Sequence, residues 1–579
     1  MQRIHPAAAL LLGLVAVPLL WSLGQAGWVA WDAEAWHALW LERQTLSALG
    51  LSLWTGLASA ALATLACAWL LSRTATLTQQ QRLQRHQTWL LAVPHAAFAM
   101  GLVLLIAPSG WLLRLLSPWA TGLAAPPPWP TTQDPWGLGL IAVLTLKEIP
   151  FLLWSASSHL LRPEVAQRLQ RELQLASTLG YAQQAAWWRI VWPQLLPRLA
   201  APLLAVLAYS LTVVDVALVI GPASPPTLAV LCWQWLQDAD VVQNAKGGAA
   251  AWALAGLVLL CAAVAWALLH AAVWRRWRSS GVPPQTQTQT AQRTAKSLAG
   301  PSPQWPLMLL AGIYGAVLLA LLLGSFIGSW PFPQLLPARW SMAAWATVWD
   351  STGTVWTTLW LAAGSAACAL LWVVAWLELA PAPWHARMQT LAYAPLVLPG
   401  LLWAIGLHRL ALAWGLDGSA SGVWLAHTLA CLPYVLLSTV GAYSGFDTRW
   451  WQLAASLGQT RWQFVLRVKW PLLRASLAAG FAVGFAVSVA QYLPTLYIGA
   501  GRLATVTTEA VGLAAGGQRK LMAAFAWLQW LLPVLVYMVA ARLGRGRRFG
   551  RPPGAPTPPS SPPSHRPPSQ ASRLGTIQP

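Results

Sequence analysis

Charged side chains are scarce in this chain: they make up 9% of its 579 residues, where a soluble domain carries about a quarter. Acidic residues are scarcer still, 15 against 36 Lys and Arg. So few charges cannot coat a water-facing surface, which excludes an ordinary soluble fold. The five cysteines (Cys67, Cys232, Cys261, Cys368 and Cys431) form no CxxC pair and no metal-ligand spacing. Four of them lie in or near apolar runs, where cysteine acts as a small buried hydrophobe. The phosphate-binding pattern G-x-x-x-x-G-K-[ST] is missing, so the chain does not bind ATP by that route. Also missing are HExxH, a nucleophile elbow and any cluster among the ten His residues, which argues against an enzyme.

Apolar residues fill what remains. They reach 57% of the chain, with a mean hydropathy of +0.53. A membrane-spanning helix needs about 20 apolar residues. Runs of that kind fall near 7–24, 46–72, 89–117, 137–160, 199–222 and 249–274, and again near 306–329, 351–378, 391–415, 421–442, 476–500 and 522–541. The runs are continuous and do not alternate, which predicts helices and not a barrel. The expected fold is an all-α integral membrane protein: two tandem six-helix lobes, about 12 transmembrane helices. The first run follows Arg3 and could be a cleaved signal peptide. Its length and the similar runs after it favour an uncleaved first helix. Many of the 41 tryptophans stand at run ends, where an amphipathic ring suits the lipid headgroup zone.

The boundaries expected are a first lobe at 1–274, a polar linker at 275–304 containing Pro283, Pro284 and alternating Gln and Thr, a second lobe at 305–541, and a basic tail rich in Pro and Ser at 542–579. The net charge of +21 resides between the apolar runs and not on a soluble face, so nucleic acid is not an expected partner and membrane lipid is. With the N-terminus inside, inner segments carry 27 Lys and Arg and outer segments six. That imbalance predicts both termini in the cytoplasm.

One phrase occurs twice. Gln174-Leu175-Ala176-Ser177-Thr178-Leu179-Gly180 precedes Ile190 and Trp192-Pro193; Gln452-Leu453-Ala454-Ala455-Ser456-Leu457-Gly458 precedes Val468 and Trp470-Pro471. Both Gly180 to Gly458 and Pro193 to Pro471 span 278 residues, nearly half the chain, which means two similar lobes. The phrases fall in polar segments, 161–198 and 443–475, that six spans place on the same side. Each predicts a short helix, a left-handed turn at Gly, and a second amphipathic helix that the proline stops. An anchoring interfacial helix would explain one copy. Two copies in register favour docking onto a two-fold partner.

These residues resemble a known family. The pattern Glu-Ala-Ala, three residues, Gly, nine residues, Ile, one residue, Leu-Pro marks the cytoplasmic loop of permease subunits in binding-protein-dependent ABC importers. Both loops keep the Gly-to-Pro spacing, with Gln174 and Gln452 in place of the Glu and Trp192 and Trp470 in place of the Leu. Glu172 is close enough to replace the lost carboxylate in the first loop; its repeat equivalent is Trp450. Further echoes join the lobes: Pro94 and Gly101-Leu102 with Pro399 and Gly406-Leu407, Pro150-Phe151 with Pro433-Tyr434, Ile220-Gly221 and Thr227 with Ile498-Gly499 and Thr505. The chain is similar to the fused, two-lobed permeases of ferric-iron and thiamine importers, including a thiamine-like branch.

The resemblance implies the type I importer permease fold and a path for a small solute delivered by a periplasmic binding protein, in the bacterial inner membrane. It implies that Gln174, Ala176, Gly180, Ile190 and Pro193, with Gln452, Ala454, Gly458, Val468 and Pro471, form loops seated on an ABC ATPase subunit dimer. No cofactor is expected on this chain, and ATP and Mg are expected on that ATPase. Within the spans, Thr212, Asp215, Ser488 and Gln491 are candidates for the path, because polar groups in a membrane face a cavity or a partner. Lys147 and Glu148 are expected to be a structural pair or a helix break before Pro150. A secondary transporter with two six-helix repeats, driven by an ion gradient, accounts for the spans equally well but not for the paired loops. A membrane scaffold or lipid-handling protein without transport is a third alternative. The cargo stays open among thiamine-like cations, ferric iron and other small solutes.

Overall fold

The backbone groups of a span have no water to bond, so these apolar runs form helices (a computed structural model, which describes residues 5–73, 90–270 and 305–544). The linker expected at 275–304 and nearly all of the tail expected at 542–579 lie outside the described residues. The first lobe contains α1 (Pro6–Val29), α2 (Ala33–Leu41), α3 (Thr45–Arg73), α4 (His95–Ile106), α5 (Trp111–Leu116), α6 (Leu138–Leu160), α7 (Pro163–Thr178), α8 (Gln183–Ala186), α9 (Trp192–Leu195), α10 (Ala200–Thr212), α11 (Asp215–Ile220), α12 (Leu228–Leu236) and α13 (Val241–His270). The second contains α14 (Trp305–Gly324), α15 (Ala343–Asp350), α16 (Thr352–Leu379), α17 (Ala382–Val397), α18 (Gly400–Ala413), α19 (Ala420–Ser444), α20 (Arg449–Ser456), α21 (Arg461–Phe464), α22 (Trp470–Val489), α23 (Leu493–Ile498), α24 (Val506–Ala515) and α25 (Arg519–Gly544).

Among the described residues, eleven helices are long and apolar enough to cross a membrane. The count is twelve if the segments Pro383–Leu396 and Gly400–Ala413, bent by 102°, are one span. The main correction concerns the fifth span of each lobe. Expected at 199–222 and 476–500, these spans run from Gln184 to Thr212 and from Arg461 to Val489. The chain then breaks at Val213–Val214 and at Ala490–Tyr492 and resumes as the short helices α11 and α23. Trp-Pro does not stop the preceding helix in either lobe. One π-helical turn, Trp187–Val191 or Val465–Lys469, leads directly into the proline's helix. Pro193 and Pro471 occupy the first turn of α9 and α22, and a first turn leaves some N–H groups without an intrahelical acceptor, so a missing donor costs little there. Lys147 and Glu148 do not break α6, which continues through Pro150 to Leu160.

The repeat holds residue for residue: α8 and α21, the two π turns, α11 and α23, α12 and α24, and α13 and α25 all begin 278 apart. A matched bond pins each half. The amide of Leu228 donates to Ser52 Oγ at 2.9 Å, and that of Val506 to Thr358 Oγ1 at 2.9 Å.

The first helices are exchanged between lobes. Ala8, Val15 and Leu19 of α1 pack in the core of the second lobe with Trp372, Trp403 and Leu407. Leu310, Tyr314 and Val317 of α14 pack in the core of the first with Phe98, Met100 and Leu144. Trp372 Nε1 donates to the Leu11 carbonyl at 2.9 Å, and the Tyr314 hydroxyl to the Leu146 carbonyl at 3.1 Å. The repeated glycines mark the crossings. A Cβ on Gly406 would fall 2.2 Å from the Ser22 carbonyl oxygen, and one on Gly101 2.7 Å from that of Val317. Close helix crossing in a membrane requires such small residues.

At the end of the bundle remote from the repeated loops, one polar tie joins the two lobes and another lies within the first. Arg114, buried on α5, donates to the carbonyls of Ser109, Pro331, Gln334 and Trp330 at 2.8–3.1 Å and lies 3.7 Å from the Trp330 ring centre. Glu42, between α2 and α3, accepts Lys246 Nζ of α13 at 2.9 Å. The hydrogen bond from Lys246 holds the Glu42 carboxyl below its ordinary value. A depressed carboxyl stabilises the fold above its unfolded pKa and loses that contribution as pH falls through the folded one. We expect the melting temperature in detergent to exceed that of Glu42→Gln at neutral pH, and the two to converge as pH falls through the depressed pKa of the folded carboxyl. A constant gap across pH would sink the assignment.

Candidate functional site: two hairpins and a central cleft

Each repeated phrase folds as a helical hairpin closed by the same turn. Gly180 has φ +84° and Gly458 φ +75°. The amide of Tyr181 bonds the Ala176 carbonyl at 3.0 Å, and that of Gln459 the Ala454 carbonyl at 3.0 Å. This is a Schellman closure, in which glycine takes the left-handed position. Ala176 and Ala454 are buried, with Tyr181 and Ala186 in one hairpin and Phe464 and Val465 in the other. Ile190 and Val468 pack against those small cores. Pro193 is buried and Pro471 exposed. Gln174 and Gln452 are exposed.

Beside each glutamine stands an apolar pair that sequence reasoning did not single out. Leu175 and Leu179 are 64% and 53% exposed; their repeat equivalents Leu453 and Leu457 are 54% and 73% exposed. The signal was in the phrase itself, since both leucines recur at helical spacing. Glu172 is not a free stand-in for the motif's carboxylate. Gln194 Nε2 donates to it at 2.7 Å, and Arg168 Nε lies 3.6 Å away on the same helix.

The candidates within the spans separate into two kinds. Thr212 Oγ1 bonds back to the Ala208 carbonyl at 2.7 Å and is buried. Ser488 Oγ bonds His427 Nδ1 at 2.8 Å, and His427 Nε2 bonds Thr495 Oγ1 at 2.8 Å, a closed and buried chain. Asp215 and Gln491 are half-buried at the two helix breaks, with Gln491 Nε2 bonding the Val487 carbonyl at 3.3 Å.

Asp215 has company from elements far apart in sequence. It lies within electrostatic range of His95, Tyr209 and Tyr492. His95, the first residue of α4, meets Glu148 of α6 at 3.2 Å, and its ring centre is 4.7 Å from that of Tyr209. Tyr434 of the second lobe is within range of Glu148. Lys147 and Glu148 each have a further partner: Lys147 Nζ donates to the Val93 carbonyl at 2.6 Å, while Glu148 faces His95. Sequence reasoning passed over His95 as one of ten scattered histidines; its place directly after the repeated Pro94 was the available clue.

No protein-family model matches the chain. It is 36% identical over 467 residues, 80% of its own length and 81% of the relative's, to the inner membrane ABC transporter permease protein YnjC of Escherichia coli. The chain belongs to the ABC transporter permease family. The thiamine transport system permease protein ThiP of Brucella suis is 27% identical over 252 residues, 39% of this chain and 43% of the relative. The spermidine/putrescine transport system permease protein PotC of Haemophilus influenzae is 25% identical over 100 residues, 17% of this chain and 39% of the relative. This permease is a multi-pass inner-membrane subunit of an ABC importer, and ATP hydrolysis belongs to a separate subunit. An ATPase and a binding protein are its partners in general terms.

Proposed function

We propose that the two hairpins are the coupling elements of the importer, seated on the two subunits of an ABC ATPase dimer that holds ATP and Mg. The observation that carries this is their identity of form: the same turn, buried alanine and exposed leucine pair occur twice, 278 residues apart. A two-fold partner requires two such surfaces. Both hairpins, and both termini, then lie in the cytoplasm, in line with the one-sided distribution of Lys and Arg. The periplasmic binding protein docks at the opposite end.

The path runs between the lobes past the helix breaks, with Asp215 and Gln491 beside it; Thr212 and Ser488 support the helices that end there. Two carboxylates, Glu148 and Asp215, with Tyr209, Tyr434 and Tyr492 nearby, suit a small organic cation, since aromatic faces and carboxylates both attract positive charge. The relatives named for thiamine and for spermidine/putrescine support that choice.

Uptake of labelled thiamine, spermidine and putrescine by cells expressing the whole importer tests both statements. Uptake of one of them is expected to stop when the ATPase is disabled and to survive collapse of the proton gradient. Asp215→Asn is expected to lower it about tenfold at limiting solute. Uptake that follows an ion gradient without any ATPase would return the secondary-transporter alternative. Uptake unchanged in Asp215→Asn would remove that residue from the path.

A further inference from the structure

The second hairpin is tied to the bundle by a charged node that the first lacks. Glu378, the penultimate residue of α16, is buried at the hairpin end of the molecule. Its Oε1 accepts Lys469 Nζ at 2.8 Å and also the Tyr443 hydroxyl. Arg461, which opens α21, donates Nη2 to the Glu378 carbonyl oxygen at 2.5 Å and lies 3.9 Å from its Oε2. Trp470 Nε1 donates to the Tyr443 oxygen at 3.0 Å, and Lys469 Nζ lies 4.1 Å from the Tyr443 ring centre. One carboxylate thus joins α16, the end of α19, and both ends of the hairpin's second helix.

The first lobe has no charged residue at the equivalent positions. In the register set by the matched bonds and prolines, Ser72, Leu160, Gln183 and Val191 stand where the second lobe has Glu378, Tyr443, Arg461 and Lys469. Ser72 Oγ donates to the Trp69 carbonyl of its own helix, and Val191 is buried in apolar packing. In the first hairpin, Arg168, Glu172 and Gln194 bond one another.

The difference is mechanical. Apolar packing lets helices slide by small shears. A buried carboxylate holding a cation and a hydroxyl resists sliding, because separating them leaves an uncompensated buried charge. From Glu378, α16 runs unbroken to Thr358, about 30 Å away at 1.5 Å per residue, where Thr358 Oγ1 holds the first amide of α24. We propose that Glu378 is a positioning residue that makes the second hairpin the driven one. Displacement of the ATPase passes through Lys469 and Glu378 into α16 as a rigid rod, by a charged link that the equivalent first-lobe residues cannot form. The inference rests on the hairpins seating on the ATPase.

The test uses the full permease–ATPase complex in nanodiscs, with spin labels at Trp119→Cys and Trp349→Cys, exposed positions of the two lobes remote from the hairpins. Retained ATPase, ATP turnover and the label distance with ATP and vanadate are read together. In Glu378→Gln the ATPase should stay bound and turn over, while the distance change falls below about a quarter of wild type. Lys469→Met should behave likewise if Glu378→Gln fails to assemble, and Glu378→Asp should restore part of the change. Glu172→Gln, in the first hairpin, should leave it nearly intact. A full distance change in both second-hairpin variants, an equal loss in Glu172→Gln, or loss of the ATPase itself in the variants would overturn the proposal. No ATPase on the wild-type permease would overturn the coupling assignment and the node together.

Discussion

Replacing Leu175, Leu179, Leu453 and Leu457 with Asp should release the ATPase and abolish uptake, while the permease still inserts and folds. All four side chains are exposed, so the free permease loses little on substitution, within about 0.5 kcal/mol per site. Bound, each leucine is worth about 1.5–3 kcal/mol if it becomes fully buried, and an aspartate there must in addition bring a charge into the interface. Even one lost leucine per hairpin therefore weakens binding by about a hundredfold or more. Pull-down of the ATPase with solubilised permease reads the binding, and the permease's elution profile reads its fold. Changing one hairpin alone should leave partial binding and little uptake, since one lobe stays seated and the other is uncoupled. Full retention of the ATPase by the fourfold variant would disprove the docking surface. Gly180→Val and Gly458→Val address the same hairpins through their backbone: no atom lies within 4 Å of a Cβ placed on Gly458, so the positive φ is what a β-branched residue cannot meet.

The second large effect is expected at the helix exchange. Gly406→Ala adds one methyl group 2.2 Å from the Ser22 carbonyl oxygen, and backbone cannot swing aside as a side-chain tip does. α1 must move off the second lobe, with loss of the packing of Ala8, Val15 and Leu19 and of the bond from Trp372 to Leu11. Overpacking of this kind costs about 1–3 kcal/mol or more. Gly101→Ala should act in the same way on α14. Gly312→Ala supplies the control, since a Cβ there meets nothing within 4 Å. It should hold or raise the melting temperature through helix propensity. Equal melting of Gly406→Ala and wild type would mean that the crossing is looser than the geometry states.

The spans and hairpins were legible because their causes are local. An apolar run of sufficient length becomes a helix wherever lipid replaces water, and Gly with its flanking leucines writes a hairpin into a few consecutive residues. The repeat was legible too, and its offset proved accurate to the residue in the hairpins and in the short helices after them. The helix breaks were hidden because Val213 and Val214 are as apolar as the helix they interrupt. Composition carries no mark of where a chain bends inside the protein. The helix end expected at Trp-Pro failed for a related reason: proline is tolerated in a first turn, so a π turn can run straight into it.

Composition and spacing by themselves determined that this chain lives in a bilayer, that it is built twice, and that each half carries one polar hairpin. Those properties follow from solvation and local backbone preference, which act over a few turns. Only the tertiary structure decided that α1 and α14 trade lobes, that His95 meets Glu148 across 53 residues, and that Glu378 holds Lys469 across 91. Lipid-facing helices resemble one another in composition, so partner choice rests on close packing at small residues and on rare buried polar groups. Both are properties of surfaces that meet only after the chain has folded.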